Sequence, residues 1–302
     1  MPGGAGGLLL SGSALRMMAP STPFDPRITP ARPDLAASHL RGQVTAARFV
    51  DGTLCEVRDE SAPVRREPAP DASLDTEALK GERVMVYETT DEGWCWGQLE
   101  QDGYVGWLPA NALAAPGPAP THVVAALRTL AFPGPSIKLP PVAAFSLGCR
   151  VAVLRSEGAL AVTPSGYVPA RHLAPIDARE PDFVAVAERF LGVPYLWGGK
   201  TSLGIDCSGL VQVALGAAGI ACPRDSDMQE RALGTTVAAD IADLRRGDLI
   251  FWKGHVAIVR DGATLLHANA FHMAVALEPI AAAVARIASE GGAAITAVKR
   301  PR

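Results

Sequence analysis

The sequence predicts a multidomain protein: two small all-β barrels followed by an α+β domain. Three observations predict it. The region up to Pro175 holds an internal repeat of short alternating runs bounded by Gly, Asp and Pro, and alternation over such lengths means half-buried strands. A proline-rich stretch at residues 114–120 separates the two copies. From Pro181 onward helical segments come first and strand candidates follow, the order of an α+β unit.

The first copy is placed by Gly81-Glu82-Arg83-Val84-Met85-Val86 and Gly103-Tyr104-Val105-Gly106-Trp107-Leu108-Pro109-Ala110, closing on Leu113. The second answers with Gly148-Cys149-Arg150-Val151-Ala152-Val153 and Gly166-Tyr167-Val168-Pro169-Ala170, closing on Leu173. Runs such as Trp94-Cys95-Trp96-Gly97-Gln98-Leu99 supply strands between these landmarks. Trp94, Trp96 and Trp107 either line a groove or pack the small cores, and packing is the simpler expectation. The linker Ala114-Ala115-Pro116-Gly117-Pro118-Ala119-Pro120 is short and stiff.

In the last third, the segment from Pro181 to Leu191 reads as a helix with proline in its first turn. A second helix runs from Cys207 to about Ala218 and is stopped by Gly219. Strands follow at residues 248–252, 255–260, 264–268 and 275–277, with Gly262 at the hairpin turn. Residues 280–289 read as a helix and 295–299 as a last strand. The expected divisions are 1–24 (a tail or an over-extended start), 25–114, 121–176 and 177–302.

Composition narrows the function. The chain has 302 residues, 48% hydrophobic and 20% charged, which suits a globular protein with a proper core. A net charge of -3 gives no basic field, so nucleic acid is not an expected partner. No apolar run approaches the ~20 residues of a spanning helix, so no membrane is expected either. No Lys or Arg precedes the mildly apolar residues 6–15, which argues against a signal peptide. The five cysteines are scattered without a CxxC pair, arguing against a disulfide framework or zinc site. A cytoplasmic location fits best, with periplasm or secretion as the alternative; no metal or cofactor is expected.

One stretch carries more chemistry than the rest. Pro194-Tyr195-Leu196-Trp197-Gly198-Gly199 leads into Asp206-Cys207-Ser208-Gly209, which puts a thiol at a helix N-terminus. There, free N–H groups and the helix dipole favour a thiolate. Gly247-Asp248-Leu249, Gly254-His255-Val256-Ala257-Ile258 and His267 follow downstream. Five blocks in this order resemble the NlpC family of papain-like cysteine peptidases, over residues 177–302. Both N-terminal copies resemble bacterial SH3-like domains, whose last strand commonly reads Gly-Tyr-x-Gly-Trp-Val/Leu; the second copy lacks the Gly-Trp pair.

The resemblance implies a nucleophile at Cys207, a base at His255 and an orienting partner at His267, which lies one hairpin away. It implies an oxyanion site from the Cys207 backbone N–H and the Tyr195 hydroxyl. The remaining cysteines read as small buried hydrophobes. His39, His122 and His172 read as structural, and His272 as a weaker competitor of His267.

Asp206 beside the nucleophile invites a cation, and a substrate's free amino terminus is one candidate. Asp225 and Ser208 complete an expected ammonium pocket, with Trp197 on the substrate-binding side. The family subgroup with SH3-like domains consists of γ-D-glutamyl-L-diamino-acid endopeptidases acting on murein peptides with free N-terminal L-alanine. In that subgroup the first SH3-like domain lends an acid and a tyrosine to one end of the cleft; Glu82 and Tyr104 are the candidates here. The expected partner is therefore a murein peptide, in cell-wall peptide recycling. The alternatives are a secreted hydrolase of intact cell wall and a non-catalytic peptide-binding module.

Overall fold

The computed structural model describes residues 24–238, 243–292 and 294–301. The expected tail or over-extended start, residues 1–24, lies outside the described residues except for Phe24. The content is mostly β.

In the first copy, strands from Thr53–Val57 to Leu113–Ala114 form one seven-stranded sheet paired antiparallel throughout. Alternation does what the sequence implies: along Ser61–Arg65, Ala62 and Val64 point into a core shared with Val57, Val84, Leu99 and Leu108. Trp96 and Trp107 face each other across adjacent strands. They are roofed by Leu35 and by the Arg32 guanidinium, 4.3 Å and 4.9 Å from the two rings. The N-terminal segment therefore covers these tryptophans, and they pack rather than line an open groove.

The second copy builds three smaller sheets. His122–Val124 lies between Arg150–Val151 and Leu173–Pro175, Arg128–Ala131 pairs with Ala143–Ser146, and Arg155–Glu157, Leu160–Thr163 and Gly166–Pro169 form a meander. In both copies the repeated Tyr-Val strand ends in a 3-10 turn, Ala110–Ala112 or Ala170–His172, and a short returning strand. The repeated glycine turns meet. Gly81 (φ +80°) lies so close to the Arg150 carbonyl that a Cβ would collide with it, and the Arg150 N–H donates to the Lys80 carbonyl at 3.0 Å.

The last third centres on a six-stranded sheet. In spatial order its strands are Thr235–Val237, Ala297–Arg300, Leu249–Trp252, His255–Asp261, Thr264–Asn269 and Ala274–Pro279, each antiparallel to its neighbour. Helix α1 is Phe183–Glu188, α2 Cys207–Ala217, α3 Ser226–Ala232 and α4 Ile280–Ser289. Pro181 precedes α1 rather than entering it, because Asp182 takes the N-cap and accepts from Val184 and Ala185. Leu210, Val211 and Ala214 of α2 pack with Val256, Ile258 and Leu266 of the sheet. Ile280 and Ala283 of α4 pack with Ile250, Ala257 and Val259. Residues on alternate sides of these strands thus meet different helices, as a period of two requires. α2 ends where expected: Gly219 takes φ +78° and the Ile220 N–H reaches back to the Leu215 carbonyl.

Candidate active site

Cys207 is the first residue of α2, and Asp206 is the N-cap, its Oδ1 accepting from the Gly209 N–H at 2.6 Å. Glycines let the preceding loop fold onto this helix start. Gly198 (φ +76°) donates its N–H to Asp206 Oδ2 at 2.9 Å, and the Asp206 N–H donates to the Gly199 carbonyl at 3.1 Å. A side chain at Gly209 would strike that same carbonyl. Cys207 belongs to the same buried cluster as Val256, the residue that follows His255.

His255 opens its strand and His267 lies in the next one. His255 Nε2 and His267 Nδ1 are 2.9 Å apart. On the far side, His267 Nε2 is 3.1 Å from Glu278 Oε2, and Glu278 is held bidentately by Arg286, Nε to Oε1 at 3.0 Å and Nη2 to Oε2 at 2.8 Å. His267 and Glu278 are diagonal neighbours on paired strands, close enough for long side chains to meet. His272, the competitor, is tied to Asn269 through Nδ1 at 3.0 Å. His267, His272 and Glu278 bring potential metal-ligand atoms within 4.8 Å of one another. However, Arg286 engages both Glu278 oxygens, so this donor set serves an internal hydrogen-bond chain and fits a cation poorly.

The electrostatics differ from the sequence expectation in one respect. Burial pushes the Cys207 thiol up to about 12, and the Asp206 charge adds to this, against the Val256 N–H and the Arg224 charge. Burial also lowers His255 to about 3, helped by the positive charges of His267 and Arg286, and lowers His267 to about 4 despite Glu278. Burial thus acts against the thiolate that a helix N-terminus favours and against a charged imidazole at His255. The Tyr195 phenol is half-buried, and burial raises it, with the Cys207 and Asp206 charges next in weight. It therefore stays protonated and able to donate.

The expected ammonium pocket is rearranged. The cation facing Asp206 is Arg224, which sequence reasoning passed over: Nη1 donates to Oδ1 at 3.0 Å and Nη2 to Oδ2 at 2.8 Å. With Gly198, Gly209 and Ser208 also donating, the Asp206 carboxylate receives five hydrogen bonds. A substrate ammonium would have to displace one of them. Ser208 is likewise engaged, accepting from Arg224 at 2.8 Å. Arg224 Nε donates at 2.8 Å to Thr76 of the first β unit, so this buried pair also joins two units. No local spacing marks Arg224, since its partners come from three separate stretches of chain.

Asp225 stands elsewhere. Its Oδ2 accepts from the Tyr104 hydroxyl at 3.2 Å and from Arg27 Nη1 at 2.8 Å. Tyr104, chosen from the barrel, thus reaches the catalytic domain. Arg27 was not foreseen; it also pairs with Asp25 and Asp227. Glu82 is a correction. It is buried between the three units, where Lys200 Nζ meets Oε1 at 3.2 Å, and it lines a cavity of about 670 Å³. That cavity lies along the later turns of α2, and none of Cys207, His255 and His267 lines it. The tight Gly81 turn precedes Glu82, which is buried against Lys200. Trp197 is 65% exposed, on the rim beside Gly198, whose backbone abuts Leu74 of the first β unit.

A thiol at a helix start and two hydrogen-bonded histidines on adjacent strands are the groups of a cysteine peptidase, a hydrolase. Residues 192–285 match the NlpC/P60 family, and residues 64–113 match the bacterial dipeptidyl-peptidase SH3 domain. The chain carries both, an SH3-like domain ahead of an NlpC/P60 catalytic domain. It is 27% identical over 242 residues to a gamma-D-glutamyl-L-lysine dipeptidyl-peptidase of Bacillus cereus, covering 68% of this chain and 71% of that protein. A protein of the same name from Bacillus subtilis is 29% identical over 220 residues, covering 65% and 73%. An NlpC/P60 family protein from Bacillus cereus superimposes with a TM-score of 0.68 at 22% identity, covering 82% of this chain and 99% of that one, a likeness of fold.

Proposed function

We propose that this protein is a dipeptidyl-peptidase that cuts the γ-D-glutamyl–diamino-acid bond of murein peptides with a free N-terminal L-alanine. The observation that carries this is the meeting at Asp225. Tyr104 from the first β unit and Arg27 from the N-terminal segment converge on one carboxylate, just ahead of α3 in the catalytic domain. The names of the two Bacillus relatives support the same substrate class. Residues 25–114 and 121–176 are read as two SH3-like units and 177–302 as the α+β peptidase.

In this reading Cys207 attacks the γ-carbonyl carbon as its proton passes to His255. Because His255 Nε2 faces His267, the proton is taken by Nδ1. The Cys207 N–H and Tyr195 hydroxyl donate to the oxyanion. Collapse returns the proton to the amine of the departing diamino acid and leaves a thioester. Water, deprotonated by His255, then hydrolyses it to release the dipeptide. In this reading the free ammonium approaches Asp225, whose Oδ2 already accepts from Arg27 and Tyr104, and blocking the amine removes that charged contact. Unpaired cysteines throughout support a reducing compartment and hence recycling of liberated peptides.

The test is mass spectrometry of products from L-Ala-γ-D-Glu-L-Lys, its N-acetyl derivative and a glycan-linked stem. The free tripeptide should yield L-Ala-γ-D-Glu, with the blocked forms at least about 100-fold slower, and Cys207→Ala should yield nothing. Equal cleavage of the N-acetyl peptide would overturn the end-specificity, and residual hydrolysis by Cys207→Ala would overturn the nucleophile.

A further inference from the structure

The hydrogen-bond chain does not stop at the second histidine. We propose that Glu278, locked by Arg286, is a positioning residue that selects the tautomer of His267 and thereby decides which nitrogen of His255 is free to accept a proton. This rests on the Cys207–His255–His267 reading above.

At the 2.9 Å contact between His255 Nε2 and His267 Nδ1, one nitrogen donates and the other accepts. Two neutral arrangements exist. In the first, His255 Nε2–H donates, its Nδ1 is bare and can act as base, and His267 carries its proton on Nε2. In the second, His267 Nδ1–H donates, so His255 carries its proton on Nδ1 and cannot take one there. The two differ at the other end of His267. In the first, Nε2–H donates to Glu278 Oε2 across 3.1 Å; in the second, a bare nitrogen lone pair faces a carboxylate lone pair at that distance.

A carboxylate accepts only, so an ionised Glu278 excludes the second arrangement. Arg286 keeps it ionised through a bidentate pair, an arrangement of high geometric specificity. The Arg286 hydrogen bond, ahead of the opposing effect of burial, also holds the Glu278 carboxyl below its usual range. Arg286 is fixed in turn over the Phe271 ring at 4.4 Å and by Glu290 at 3.3 Å. His272 is the other titratable group facing this end, and its Nδ1 is tied to Asn269. Neutral Glu278 could donate and would admit the inactive tautomer.

Glu278→Gln tests this. Its amide can present N–H to His267 Nε2 while its oxygen faces Arg286, which favours the inactive arrangement. We expect kcat on the free tripeptide to fall about 10- to 100-fold with KM within about threefold, a smaller loss than the ~10⁴ seen when a triad's own orienting acid is replaced. Long-range ¹H–¹⁵N spectra of the histidine rings should show His267 protonated on Nε2 in the wild type and on Nδ1 in Glu278→Gln. Glu278→Asp should restore the wild-type tautomer. A Glu278→Gln enzyme within threefold of wild-type kcat, or one with His267 still protonated on Nε2, overturns the proposal. If Glu278→Gln does not fold, Arg286→Met decides: its activity should fall away at higher pH than wild type as Glu278 becomes protonated, and an unmoved acid limb refutes the idea. The ring spectra need no substrate, so they separate this failure from failure of the peptidase reading, which Cys207→Ala reports.

Discussion

His255 and His267 sit where water is scarce, and that has a thermodynamic signature. Their folded-state values, about 3 and about 4, lie below the ~6.5 of an unfolded histidine. The unfolded chain therefore binds up to about two more protons between pH 6.5 and 4, so their contribution is complete above 6.5 and is lost as pH falls toward the folded values. Urea unfolding between pH 7.5 and 4.5 should show stability falling toward acid, by at most about 2.7 kcal/mol per pH unit from this pair. In His255→Gln the slope should drop by about one proton. A flat wild-type profile over that range would show that the imidazoles are not buried neutral. Both histidines were legible in the sequence, because Gly-His-Val and Leu-His-Ala interrupt apolar strands with a costly polar group. Glu278 was not, since a glutamate before a proline looks solvated until Arg286 from the following helix covers it.

At the scale of elements, the loop before α2 is shaped by contact with another unit. Gly198 needs its left-handed backbone, and a Cβ there would stand 2.6 Å from the Leu74 carbonyl. Gly254 is also left-handed (φ +79°), yet a Cβ there would meet nothing within 4 Å. Gly254→Ala should thus cost only the backbone term, about 1–2 kcal/mol. Gly198→Ala should cost more, about 3 kcal/mol or above, because backbone must move as well. Thermal unfolding compares the two, and equal losses would argue that the first β unit does not press on this loop. α2 and the hairpin strands could be drawn from periodicity and glycine stops alone. α3 could not: Ser-Asp-Met-Gln-Glu-Arg-Ala is short and polar, and Gln229 fixes it by donating to the Ser208 and Pro223 carbonyls at 2.9 and 2.8 Å.

Over the whole molecule, buried ion pairs tie the units together. Lys200 and Glu82 are 3% and 1% exposed and join the catalytic domain to the first β unit. Lys200→Met would leave Glu82 buried without its cation, whose attraction opposes the carboxyl's strong upward shift from burial. Removing one partner of such a pair costs about 3–5 kcal/mol. Denaturant unfolding should register that loss, and the double variant Lys200→Met, Glu82→Gln should recover much of it. A loss below about 1 kcal/mol in Lys200→Met would mean that the pair does not hold the interface.

Taken alone, the amino-acid sequence determined the order of β units and catalytic domain, the helix that begins at Cys207, and the adjacent strands that carry His255 and His267. Those features are written in local patterns, alternation and glycine placement among them, that need no distant partner. What cancels each charge was decided only in three dimensions. Asp206 faces Arg224, Asp225 faces Arg27 and Tyr104, and Glu82 faces Lys200. Long-range electrostatic pairing has no period and no fixed spacing, so packing alone chooses the partner.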